Sequence, residues 1–198
     1  MKTVERADEL RRLLGDAVRV QAALAEMIEP MLDAAGRISE RMGAGGKLLV
    51  FGNGGSAAQA QHVAAEFVGR FEKDREPLPA LALTTDTSAL SAIGNDYGFE
   101  DVFARQVRAI AKPGDAALAI STSGNSANVL RAIDAAREMG LVTIGLTGCN
   151  GGKMRGRVDL CLCAPSDSTP RIQEAHLVMI HMICQMVEAS LLRGSTHK

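Results

Sequence analysis

Aromatic residues are scarce in this chain, which holds one Tyr, five Phe and no Trp among 198 residues. Proteins that grip single-stranded nucleic acid stack bases on aromatic side chains, so that class is disfavoured. A surplus of one charge is missing too: 22 Lys and Arg stand against 23 Asp and Glu. Without a basic excess the electrostatic footprint of a nucleic-acid binder is absent, and no such partner is expected. Cysteine is sparse, at Cys149, Cys161, Cys163 and Cys184, with no CxxC pair. That density does not make a disulfide framework, and buried free thiols are expected. Cys161 and Cys163 alternate along an apolar run, which puts them on one face of a strand. The first residues lack the charged-then-apolar pattern of a secretory leader, and no apolar run reads as a membrane span of about 20 residues. A cytoplasmic protein without a membrane partner is therefore expected. No GxGxxG is present, and no Lys follows a glycine-rich turn as in a Walker A loop; both gaps argue against nucleotide cofactors.

The rest of the sequence has the pattern of an α/β domain. Leu10, Leu13, Leu14, Ala17, Val18, Leu24, Met27 and Ile28 recur at helical spacing, with Pro30 expected to break the stretch from Val4 to Met42 into two helices. Apolar runs at 47–51, 80–83, 115–120, 141–146 and 159–163 read as five strands. Helical segments lie between them, and a final helix spans about 169–192. The segment Gly94-Asn95-Asp96-Tyr97-Gly98 reads as a loop between two helices. Alternation of this kind implies a parallel sheet covered on both faces, a three-layer sandwich preceded by an N-terminal helical extension over residues 1–43, with the main domain over 44–198. Ligands in such folds bind at the carboxyl ends of strands, where two polar turns fall.

The turn Ser121-Thr122-Ser123-Gly124-Asn125-Ser126 packs four hydroxyls before a helix start. Outward N–H groups, the helix dipole and hydroxyls together suit a phosphomonoester; a solvated turn with Ser126 as N-cap is the alternative. The turn Asn53-Gly54-Gly55-Ser56 permits close backbone approach to a ligand, although a tight turn explains it equally. His62 and Glu66, four apart on one helix, share a face and can reach one divalent ion, or they form an exposed pair. Gln173, His176 and His181 lie on the otherwise apolar last helix, where buried polar groups need partners. Gln173 and His181 are separated by about 12 Å of rise and roughly 80° of rotation, which strains a common ion unless both side chains reach inward. His197 falls in a polar tail.

These motifs, with Gln61-His62, Glu66, Gly94 to Gly98 and Ile172-Gln173-Glu174, resemble the phosphoheptose isomerases, a family of the sugar-isomerase (SIS) domain proteins. The resemblance covers nearly the whole chain. It implies a five-stranded parallel sheet and a homotetramer with active sites between subunits. It further implies zinc, one per site, on His62, Glu66, Gln173 and His181. A phosphate would be held by Ser121, Thr122, Ser123 and Ser126, with Asn53, Gly54, Gly55, Ser56, Asn95, Asp96 and Gln173 lining the sugar site. The implied reaction converts sedoheptulose 7-phosphate to D-glycero-D-manno-heptose 7-phosphate through a metal-stabilised enediolate. It would open nucleotide-activated heptose biosynthesis, including that of lipopolysaccharide. Glu66 as base and His181 as its acid partner are the catalytic candidates, with His176 and Asp96 in reserve. Gln59 stands where such enzymes often carry Asp, and an amide cannot take up a proton as a carboxylate can. Two other readings belong to the same superfamily: a tetrameric, non-catalytic adaptor of the replication initiator, and a sugar-phosphate-sensing regulator.

Overall fold

Residues 3–195 are described by the structure, a computed structural model; His197 lies outside them. The elements run α1 (Thr3–Ala23), a 3-10 turn (Leu24–Met27), α2 (Ile28–Gly43), β1 (Leu48–Gly52), α3 (Gly55–Val68), β2 (Ala80–Ala82) and α4 (Thr87–Tyr97). After a short 3-10 turn (Phe99–Asp101) follow α5 (Val102–Ile110), β3 (Ala116–Ile120), α6 (Ala127–Glu138) and β4 (Val142–Gly148). A further 3-10 turn (Gly152–Met154) leads to β5 (Leu160–Ala164) and α7 (Thr169–Ser195). The five strands are all parallel, in the order β2-β1-β3-β4-β5.

Alternate side chains of the central strands β1 and β3 enter two separate cores. Leu48, Val50, Leu118, Ile120, Ile144 and Leu146 pack against α2, α3 and α7 on one face. Leu49, Phe51, Ala117 and Ala119 pack against α5 and α6 on the other. The central strands are apolar on both faces because neither face meets water. The three-layer α/β sandwich expected from the sequence is thereby borne out.

Three expectations are corrected. The N-terminal helices part at Leu24–Met27, and Pro30 lies inside the first turn of α2. Proline is tolerated there because a first-turn N–H has no intrahelical acceptor to lose. Residues 94–97 are the last turn of α4, not a loop; glycine costs a helix only about 1 kcal/mol, and the chain leaves the helix at Gly98, where φ is +93°. Of the cysteines only Cys184 is buried; Cys161 and Cys163 are half-buried and Cys149 is exposed.

By length and composition Thr169–Leu192 is apolar enough to cross a membrane, with a mean hydropathy of 1.5, contrary to the sequence expectation. Its apolarity has another use here. Ile172, Ala175, Met179, Ile180, Ile183 and Val187 are buried in the core beneath the sheet.

Candidate functional site

Helix α3 leaves the end of β1, and the C-terminal helix α7 packs beside it. Their packing brings together groups 119 residues apart. The Nε2 atoms of His62 and His181 lie 2.8 Å apart, and Glu66 Oε1 is 3.3 Å from His62 Nε2. The three side chains are half-buried, and their donor atoms lie within 4.8 Å of one another. Phe71 packs its ring 5.7 Å from that of His181. Two imidazoles and a carboxylate converging on one point can hold a divalent metal ion and leave a coordination position open. Nitrogens on one tetrahedral ion with bonds of about 2.05 Å would sit about 3.3 Å apart. An opening of about half an ångström between the rings makes room for it.

Gln173, one helical face away from His181, reaches α3 elsewhere. Its side-chain amide lies against Gly55, so closely that a Cβ at that position would collide with it. Glycine is required there for the approach of α7. The Gln173 carbonyl accepts a 2.7 Å hydrogen bond from Gln59 Nε2. This gives the amide at position 59 a task that a carboxylate, having no donor when ionised, cannot perform.

His176 is separated from this group. It is fully buried, and its Nε2 is 3.0 Å from the Thr147 carbonyl oxygen. It is a core histidine whose Nδ1 is buried without a hydrogen-bond partner among the described residues, and none of its hydrogen bonds there goes to His62, Glu66 or His181. Burial pushes its pKa down to about 4, a shift the bond to Thr147 only partly offsets. The folded value lies below the ordinary 6.5, so the unfolded chain takes up the proton first and stability falls as pH drops from about 6.5 towards 4. From this residue the unfolding free energy should be about 2 kcal/mol lower at pH 5 than at pH 7. Urea unfolding at the two pH values tests it: His176→Gln should flatten the dependence, and an unchanged slope would discredit the assignment.

The serine turn follows β3. Ser121 Oγ and Ser126 Oγ are 3.1 Å apart, and Ser123 Oγ accepts from the Asn125 N–H at 3.2 Å. Ser126 occupies the N-cap position of α6 but makes no side-chain cap bond. Its hydroxyl is turned towards Ser121 and not onto the helix. Gly124, at φ +63°, packs its Cα against the Gly151 carbonyl, leaving no space for a side chain.

One member of the assembly escaped the sequence reading. Asn128 is buried and pairs with Asn53 through two reciprocal amide hydrogen bonds, each 2.8 Å. It bolts the turn after β1 to the first turn of α6. The only local sign was an Asn in a helix start. Asn95 and Asp96 are exposed on α4 and bond to each other at 2.7 Å; none of their side-chain hydrogen bonds among the described residues goes to the His–Glu–His group.

A second missed feature supports α3. Arg75 and Glu188, each 3% exposed, pair at 2.9 Å. Glu188 also accepts from the N–H groups of Phe71, Glu72 and Lys73 at 3.0–3.2 Å. Burial opposes ionisation of Glu188, but these donors and Arg75 outweigh it and hold the carboxyl below its ordinary range. Arg75 in turn donates to the carbonyls of Glu66 and Phe67, both at 2.9 Å.

The SIS domain family matches residues 15–148. A phosphoheptose isomerase of Rhodospirillum rubrum is 52% identical over 184 residues, covering 93% of this chain and 98% of that protein. That of Aquifex aeolicus is 50% identical over 189 residues, covering 95% and 99%. The chain belongs to the phosphoheptose isomerase family. Among solved structures, a phosphoheptose isomerase of Neisseria gonorrhoeae is 44% identical with a TM-score of 0.88, over 92% of this chain and 98% of that one. A phosphoheptose isomerase from Francisella tularensis, at 35% identity, has a TM-score of 0.89 over 96% and 100%. As a phosphoheptose isomerase family member the chain is an enzyme, and a sugar phosphate is the class of substrate that membership implies.

Proposed function

We propose that this enzyme interconverts sedoheptulose 7-phosphate and D-glycero-D-manno-heptose 7-phosphate, the first step towards nucleotide-activated heptose. The observation that carries the reading is the convergence of His62, Glu66 and His181, on two helices that pack against the sheet whose strand β3 leads into the hydroxyl turn Ser121–Ser126. In this reading Ser121, Thr122, Ser123 and Ser126 hold the phosphate. Asn53, Gly54, Gly55 and Ser56, with Asn95 and Asp96, line the path of the sugar.

Moving a carbonyl from C2 to C1 requires a proton to leave one carbon and reach the other, with negative charge passing onto oxygen through an enediolate. Glu66 is the base that faces the carbon, and His181 is the acid that serves the oxygens. Zinc would be held by His62, Glu66 and His181; Gln173, whose side chain rests against Gly55, would become the fourth ligand only by leaving that glycine. When bound it would supply a Lewis acid opposite the developing charge. A base bound to a metal is weakened, so Glu66 serves the carbon only when it is not fully committed as a ligand. The exposed Leu10, Leu14 and Val18 along α1 support a role for residues 1–43 in packing copies of the chain into a tetramer, with the site completed at subunit interfaces.

Incubating the purified protein with sedoheptulose 7-phosphate tests the reading. Turnover should disappear on chelation and return with added zinc. Chelator-resistant turnover would remove the metal from the proposal. Metal binding without turnover of any ketose phosphate would favour the non-catalytic adaptor.

A further inference from the structure

On the opposite face of the sheet from α7, the edge strand β5 carries a pair of soft donors. Cys161 and Cys163 project from the same side of the strand, and their Sγ atoms are 3.8 Å apart. Across the ladder, Cys161 pairs with Gly145. The missing side chain of Gly145 is replaced by the fully buried Met154, whose Sδ would sit 2.6 Å from a Cβ built on that glycine. Gly151 approaches Cys163 Sγ in the same way, at 3.2 Å.

A disulfide does not suit this pair. Residues two apart on a strand are separated by about 6.6 Å, with parallel Cβ vectors, whereas a disulfide needs its Cβ atoms about 3.8 Å apart. Closing it would pull β5 out of register with β4. One metal ion does suit it: two thiolates bound at about 2.3 Å with a tetrahedral angle between them lie about 3.8 Å apart. We propose that Cys161 and Cys163 form a binding site for one soft cation, Cu(I). Thiolate donors suit Cu(I) and disfavour the hard cations that carboxylates take, and the all-sulfur pair is chemically distinct from the mixed nitrogen and oxygen donors of the His62–Glu66–His181 group. Binding exchanges the two thiol protons for the metal and involves no change of oxidation state.

Anaerobic titration of the full chain with Cu(I), in competition with a chromophoric Cu(I) chelator, tests the site. The wild type should take up one tight equivalent per chain. Cys161→Ser and Cys163→Ser should each weaken that equivalent by at least about 100-fold, while Cys149→Ser leaves it in place. Should either serine variant fail to fold, alkylation of the wild type followed by mass spectrometry decides the matter: Cu(I) must protect Cys161 and Cys163 together and leave Cys149 reactive. Uptake no tighter than in the serine variants, or protection of other cysteines instead, overturns the proposal. The isomerase reading is untouched by either result, since its readout is sugar-phosphate turnover.

Discussion

Glu66→Gln should lower kcat/KM for sedoheptulose 7-phosphate by about 10³-fold or more, and His181→Gln should do the same. Positioned proton transfer contributes about 10²- to 10⁴-fold, and each substitution also weakens a proposed metal ligand. Both variants should retain the oligomer size and thermal midpoint of the parent, because both side chains are half-buried and neither anchors the core. Measuring bound metal alongside turnover separates the two roles of Glu66. A glutamine oxygen can still coordinate, so a variant that keeps zinc yet loses turnover assigns the carboxylate to the proton, whereas parallel loss of both assigns it to the metal. Near-normal turnover in either variant would refute the catalytic assignment.

Glu188→Ala should destabilise the fold by about 3–5 kcal/mol, the usual cost of leaving a buried charge without its partner. In a chain of this length that corresponds to a fall of about 10 °C in Tm. The loss is large because Glu188 gathers three backbone N–H groups as well as Arg75, and all four lose their acceptor at once. Its folded pKa is depressed, so the stabilisation is complete above the ordinary 4.5 and is lost only as pH falls through the lower folded value. A consequence for the site follows. Arg75 also caps the Glu66 and Phe67 carbonyls, so zinc affinity should weaken in Glu188→Ala even well below the melting temperature. Calorimetry paired with a zinc titration reads both effects; a midpoint within about 2 °C of the parent would contradict the burial argument.

Much of this was written locally in the sequence. The five apolar runs alternating with helical spacing gave the sheet, and the hydroxyl turn marked the end of β3. His62 and Glu66 were legible as one face of one helix. What was not legible depended on which way α7 faces. His176 and His181 both lie in an apolar helix, and five positions put them roughly 140° apart. Spacing says that they part company but not which one enters the core; the Thr147 carbonyl and the α3 surface decide that. Arg75 and Glu188 lie 113 residues apart, and Asn53 and Asn128 lie 75 apart. Pairs at such separations leave no periodic trace, and only the folded chain brings them together. The misplaced break at Pro30 has a simpler cause, since proline disrupts a helix interior but fits a first turn.

The reciprocal amide pair between Asn53 and Asn128 has a bearing on selectivity. In the proposed reading one side of that joint grips the phosphoryl end of the substrate and the other borders the carbons that react. A joint made of two hydrogen bonds between buried or half-buried amides resists stretching, so the span between the two ends is set by the scaffold and not by the guest. The enzyme would then sort ketose phosphates as a gauge sorts rods, turning over those whose carbon chain spans the gap and leaving shorter ones tethered by phosphate with their carbonyl out of reach.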